Sequence, residues 1–189
     1  MTAEKTVKAG AAQRLKREIS LNRNFTSDAE ATFLSIVWTW VRIEKAGQKF
    51  FAGLETTDAQ FNALMILWDY RGQSLRQHQL ADLLVVNRAS AGGIIDRMER
   101  DGLVRRSADP DDRRAQLVSI TDTGIRKLEA VKRAYYPLIE SFFEGIPAKT
   151  LATVLDFNEQ IRTRLATVSF PGPQGKSSAR QKTTSTSKG

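Results

Sequence analysis

The stretch from Ser74 to Thr121 limits the possible folds more than any other. It reads SLRQHQLADLLVVNRASAGGIIDRMERDGLVRRSADPDDRRAQLVSIT. Two short helical patterns are separated by a brief turn. Gly102-Leu103-Val104 then starts a strand, and Leu117-Val118-Ser119-Ile120 forms its return. Between them lies a polar tip, Ser107 to Arg114, where Asp109-Pro110 marks a turn. A helix, a turn, a second helix and a two-stranded wing make a shape that fits DNA. The second helix enters a major groove, and the wing reaches the neighbouring backbone or minor groove.

The flanking segments read as helices. Ser27 or Asp28 caps a long helix to about Gly53. Its centre, Phe33, Leu34, Ile36, Val37, Trp38, Trp40, Val41 and Ile43, is apolar nearly all round. Such a helix is covered on two sides. The second cover is either another subunit or the core of a monomer. Thr57 and Gln60 form a capping box before a helix over 58–70 that buries Phe61, Leu64, Met65 and Trp68. Ser74 and Gln77 form a second box, opening a short helix with Leu80, Leu83 and Leu84 inside. Val85-Val86-Asn87 is the turn, and Asn87 caps a helix over 88–101 with Ile94, Ile95 and Met98 facing in. Gly102 suits the position just past its end.

Thr121 or Asp122 caps a further helix carrying Ile125, Leu128, Val131, Tyr135, Leu138 and Phe142. Pro137 is expected to kink or split it near Arg133. After Gly145-Ile146-Pro147, the last helix places Leu151, Val154, Asn158, Ile161, Leu165 and Val168 along a coiled-coil-like seam. Asn158 either fixes register with a partner or is a capped edge residue. The expected fold is mainly α with a small two-stranded β wing, a winged helix-turn-helix with a helical dimerisation region. The expected parts are a flexible basic segment (1–24, with one helical turn at Leu15, Ile19 and Leu21), a dimerisation helix (25–56), a DNA-binding lobe (57–121), C-terminal dimerisation helices (122–168) and a disordered basic tail (169–189).

The net charge of +8 resides in the ends. Six basic residues face two acidic ones in 1–23, and 169–189 hold four basic residues and no acid. The body is therefore neutral, and any DNA contact there depends on local clustering. Absence of cysteine excludes disulfides and thiolate metal sites and is compatible with a cytoplasmic protein. No apolar run reaches a membrane span, and no apolar leader stands at the N-terminus. One histidine, no Gly-x-Ser-x-Gly elbow and no phosphate loop argue against an enzyme, a metal site or a bound cofactor.

The candidate DNA-binding residues are Arg88 and Ser90 at the start of the second helix, Gly92 and Gly93 on its outer face, Arg105 and Arg106 at the wing's base, and Asp112, Arg113 and Arg114 at its tip. A helix N-terminus favours phosphate, and an arginine on a wing suits a narrow minor groove. Asp112 is placed to hold the Arg114 guanidinium. The plain alternative is a set of solvated arginines balanced by Asp109, Asp111 and Asp112. Trp38, Arg42, Phe61, Met65 and Trp68 either line a pocket for a small ligand, with Arg42 holding its charge, or are core. His78 reads as a surface residue or a phosphate contact.

Several motifs occur together: Leu80-Ala81-x-x-Leu84, Ile95-Asp96-Arg97-Met98-Glu99, Gly102-Leu103-Val104, Asp109-Pro110-x-Asp112-x-Arg114 and Ile120-Thr121-Asp122-x-Gly124. In this order they resemble the MarR family of bacterial transcription regulators over about residues 30–168. The resemblance implies a homodimeric winged helix-turn-helix protein, commonly a repressor, on a pseudo-palindromic operator in double-stranded DNA. It also implies release by a small aromatic or phenolic ligand. Asp112 and Arg114 match the family's wing element, and Ser90 matches a hydroxyl position of the recognition helix. Gly92-Gly93 departs from the family, whose members often carry Thr-Arg or Gly-Arg there. Without side chains on that face, specificity is expected to rest on the wing, Arg88, Ser90 and DNA shape. A low-specificity architectural DNA-binding protein, or an adaptor that has lost DNA, are the rival readings.

Overall fold

The computed structural model describes residues 2–84, 88–112 and 114–169, without the side chains of 2–9 and 88–90. The expected turn at Val85-Val86-Asn87, Arg113, the side chains of Arg88 and Ser90, and the tail from Phe170 onward lie outside the described residues.

Helix α1 spans Thr2–Glu18, where the sequence suggested one helical turn in a flexible segment. Ala3, Ala9, Ala11 and Ala12, interspersed with Lys and Arg, favour helix without any apolar stripe. A search for period therefore passes over it. The Trp38 indole N–H donates to Glu18 Oε2 at 2.8 Å and ties the end of α1 to the next helix.

That helix, α2, spans Asp28–Gly53 with Ser27 as its N-cap. Glu30 N–H donates to Ser27 Oγ at 3.1 Å. The Glu30 carboxylate bonds Arg23 and accepts the Thr26 N–H, which together hold its pKa down to about 2. Helix α3, Asp58–Asp69, starts at the expected Thr57–Gln60 capping box.

The lobe's entry differs from the expectation. Leu75–Arg76 form a short strand, β1, in place of a helix capped by Ser74. Leu75 pairs with Val118 and Arg76 with Leu117, so the chain stays extended there. Helix α4 then covers Gln77–Leu83, and Gln79 Oε1 accepts the Arg76 N–H at 2.8 Å. Its inner face is Leu80 and Ala81, while Leu83 is exposed. Helix α5 covers Arg88–Arg100. Strands β2 (Val104–Ala108) and β3 (Gln116–Ile120) complete an antiparallel sheet of order β1-β3-β2. The wing thus has a third strand that the two-stranded expectation missed.

Gly102 ends α5 as expected, at φ +69°. Its N–H bonds Glu99 O, and Leu103 N–H bonds Met98 O, the pair of bonds of a Schellman close. Ile95, Met98, Leu64, Leu80, Val118 and Leu128 are fully buried in one core, joined by Phe51, Phe61 and Val131. Tyr135 packs its ring at a tilt against Phe61, 4.8 Å between centroids.

Helix α6 spans Asp122–Phe143 and is not split at Pro137. The carbonyl that Pro137 leaves unpaired belongs to Arg133, an exposed residue, where water can satisfy it. A second unit starts at Ile139. It contains α7, Ala148–Thr167, which buries none of its residues.

Among the described glycines, Gly124 is the most closely packed. A Cβ there would lie 2.1 Å from the Leu103 carbonyl oxygen and 2.8 Å from Ile120 Cγ1. Backbone cannot yield as a side-chain tip can. We expect Gly124→Ala to destabilise the chain by about 3 kcal/mol in urea unfolding, the upper range for overpacking. An unchanged midpoint would show that α6 can move off the wing freely.

Candidate nucleic-acid interface

The outer face of α5 is bare where the two glycines sit. Gly93 is exposed, and a Cβ built there meets nothing within 4 Å. Arg97 folds back along the helix, its Nε donating to Gly93 O at 3.1 Å. The base of the wing is held by Arg106. Its guanidinium reaches Asp96 Oδ1 and Glu99 Oε2, both at 2.5 Å, and its backbone N–H donates to Glu99 Oε1. Burial works against its charge, but the two carboxylates outweigh burial and raise its pKa. With its side chain 18% exposed, Arg106 joins β2 to α5 through these two carboxylates. Arg105, one residue earlier, is exposed, and its Nε donates to Ser119 Oγ at 3.0 Å across the strand pair.

The tip is organised by a residue the sequence reading left as a balancing charge. Asp109 is 4% exposed. Its Oδ1 accepts the Asp111 N–H at 2.9 Å, and its Oδ2 accepts Arg76 Nε at 2.6 Å. The Asp111 N–H and then Arg76 hold the Asp109 carboxyl below the usual carboxylate range. Asp109 N–H bonds Ala115 O, and Ala115 N–H bonds Asp112 O, closing the turn. Asp112 does not hold the Arg114 guanidinium. Its Oδ1 accepts the Arg114 backbone N–H at 3.0 Å, an Asx turn, and the Arg114 side chain is exposed. Arg76 was missed because its partner lies 33 residues away and no local spacing announces it.

The expected ligand-lining residues are not brought to one place. Phe61 is core, 2% exposed, packed between Phe51 and Tyr135. Trp38 is turned to α1. Arg42 is exposed on α2. Met65 and Trp68 are half-buried against the core. Arg71 and Lys132 lie 4.4 and 5.3 Å from the Trp68 ring centroid. His78 is exposed beside Arg114 in a groove of about 300 Å³ that Gln77, Ala81, Ala115 and Gln116 also line. Among the described residues no cluster of His, Asp or Glu is placed to hold a metal ion. No described helix is long and apolar enough to cross a membrane.

Helices α4 and α5, followed by a three-stranded sheet with exposed Arg105 and Arg114, have the arrangement of a winged helix. Residues 56–115 match the model of the MarR family. The repressor YetL of Bacillus subtilis is 26% identical over 65% of this chain and 73% of its own length. The repressor NicR of Pseudomonas putida is 35% identical over 41% of this chain and 48% of its own length. The fold is shared with AbsC, a MarR family transcriptional regulator from Streptomyces coelicolor (TM-score 0.67, 20% identity, 77% of this chain and 100% of that one). Over residues 56–115 the chain is thus similar to the MarR family, and the relatives named here are described as transcriptional regulators or repressors.

The lowered pKa of Asp109 has a signed consequence. The stability this carboxylate gives the wing is present above its unfolded pKa of about 4. It is lost as pH falls through the lower folded value. We expect the amides of Asp111 and Ala115 to exchange slowly at neutral pH and quickly only once the medium is well below pH ~4. In Asp109→Asn they should exchange quickly at neutral pH already. Equal protection in both proteins would remove Asp109 from this role.

Proposed function

We propose that the chain acts as a homodimeric repressor on a pseudo-palindromic DNA site and is relieved by a small aromatic acid. The observation that carries the dimer is the face of α2. Phe33 and Trp40 are 64% and 63% exposed, and Ile36, Val37, Val41 and Ile43 accompany them. So large an apolar face on a soluble-type helix calls for a cover, and a second copy supplies one with the same chemistry. In the second unit, Val154, Leu155 and Leu165 of α7 and its C-cap Val168 are likewise at least half exposed. Two lobes at a fixed spacing then address two half-sites. Repression is the role named for YetL and NicR.

Within each lobe, Arg114 and Arg105 contact the DNA backbone or minor groove, joined by Arg113. Arg88 and Ser90 lie at the phosphate-facing start of α5, and Gly92 and Gly93 allow close approach of the backbone. Asp112 and Arg106 act indirectly, by shaping the tip and bracing the wing. The effector reading draws support from Trp68. A half-buried indole beside Met65, with the cations of Arg71 and Lys132 over it, suits a ring bearing a carboxylate.

Sedimentation and footprinting test the main reading together. The protein should sediment as a dimer and protect one short palindrome. Trp40→Glu should sediment as a monomer and bind that site about 100-fold more weakly, the loss of bivalency. A monomer with full affinity, or uniform protection along any duplex, would overturn it in favour of an adaptor or an architectural protein. For the effector, a panel of aromatic acids should raise the thermal midpoint of the protein, and Lys132→Ala should abolish that shift. A flat response across the panel removes the effector from the proposal.

A further inference from the structure

We propose that Gln77, the first residue of α4, supplies the base-reading side chain that the Gly92-Gly93 face of α5 lacks, and that it reads an adenine in the major groove. Gln77 acquires this role only if the lobe binds a defined DNA site as proposed above.

The geometry starts from the bare helix face. A recognition helix reads bases through side chains of its outer surface. Gly92 and Gly93 offer only backbone there. A Cβ built on Gly92 would lie 3.7 Å from Gln77 Nε2, which is ordinary van der Waals contact. The Gln77 amide therefore lies over the gap the glycine leaves. Any larger side chain at 92 would compete with it for that space. The gap is thus filled from the neighbouring helix.

The surroundings point the same way. Gln77 lines the groove shared with His78, Arg114 and Gln116, between α4 and the wing. It stands between the recognition helix and the exposed wing arginine, where a duplex seated on both would pass. Its neighbour Gln79 is already committed, its Oε1 holding the Arg76 N–H. Among the described residues no comparable hydrogen bond holds the Gln77 side chain, and it remains partly exposed. Arg76, which directly precedes Gln77, is fixed to Asp109 in the wing. The start of α4 is therefore anchored on both sides, which limits where the Gln77 side chain can reach. A glutamine amide pairs with adenine N6 and N7 through one donor and one acceptor, whereas a glutamate only accepts and favours cytosine N4.

The test compares the full-length protein with Gln77→Ala and Gln77→Glu. Sequences are selected from a random duplex library by each, and affinities are then measured on the wild-type site and its single-base variants at one salt concentration. We expect the wild type to select an adenine at one position of each half-site. Gln77→Ala should lose roughly 10-fold in discrimination at that position alone, with little change on random DNA. Gln77→Glu, close to isosteric, should move the preference there toward cytosine, a switch that mere loss of packing does not produce. If both variants keep the wild-type base pattern, the role of Gln77 falls and the operator reading stands. If the wild type selects no sequence at all, both fall together.

Discussion

The lobe depends on one junction, where the Thr121 hydroxyl meets the end of α5. Thr121 Oγ1 donates to Gly102 O at 2.6 Å and accepts the Gly124 N–H at 3.0 Å, and Thr121 N–H bonds Leu103 O at 3.1 Å. Four elements meet within these bonds: the close of α5, the start of β2, the end of β3 and the cap of α6. A hydroxyl that both donates and accepts satisfies a helix C-terminus and a helix N-terminus at once. The absence of a Cβ at Gly124 lets α6 start directly against the Leu103 carbonyl. Any displacement of α6 is therefore felt at the root of the wing.

From that junction outward, the arginines divide by whether a carboxylate reaches them. Arg106 is bridged to Asp96 and Glu99, and Arg76 to Asp109. These two hold the wing against α5 and α4. Arg105 and Arg114 remain exposed. The first pair fixes the direction in which the second pair points. Preorganisation of this kind matters more for recognition than the number of positive charges, because ordering flexible side chains and loops on binding lowers affinity.

Local signals in the sequence were the readable ones. Ser27, the Thr57–Gln60 box and Gly102 act within a few residues, and each stands where spacing placed it. Motif order carried the resemblance to the MarR family for the same reason. What escaped had no local signature. α1 forms from helix propensity without a stripe, and β1 is two residues long and exists only because Val118 and Leu117 accept them as neighbours. Arg76–Asp109 spans 33 residues. Arg106 looked like its exposed neighbour Arg105 until the alternation of β2 turned one toward Asp96 and the other away. The aromatic set stayed open between pocket lining and core for a different reason. Phe61 and Trp38 share composition with pocket residues, and only packing separates a core ring from a lining one.

The ion pairs also bear on where affinity for a polyanion arises. The lobe pairs Arg76 and Arg106 with its own acids, and the body of the chain from 24 to 168 is neutral, so its long-range field is weak. The surplus of +8 lies in the two ends. Attraction that depends on charge alone, and weakens steeply with salt, is therefore assigned by composition to the ends. What the lobe adds is short-ranged: a bare helix face, a wing held at a set angle, and an amide brought in from α4. In such an arrangement, two glycines on the recognition helix are not a loss of specificity. They are the condition for a neighbouring element to reach the groove.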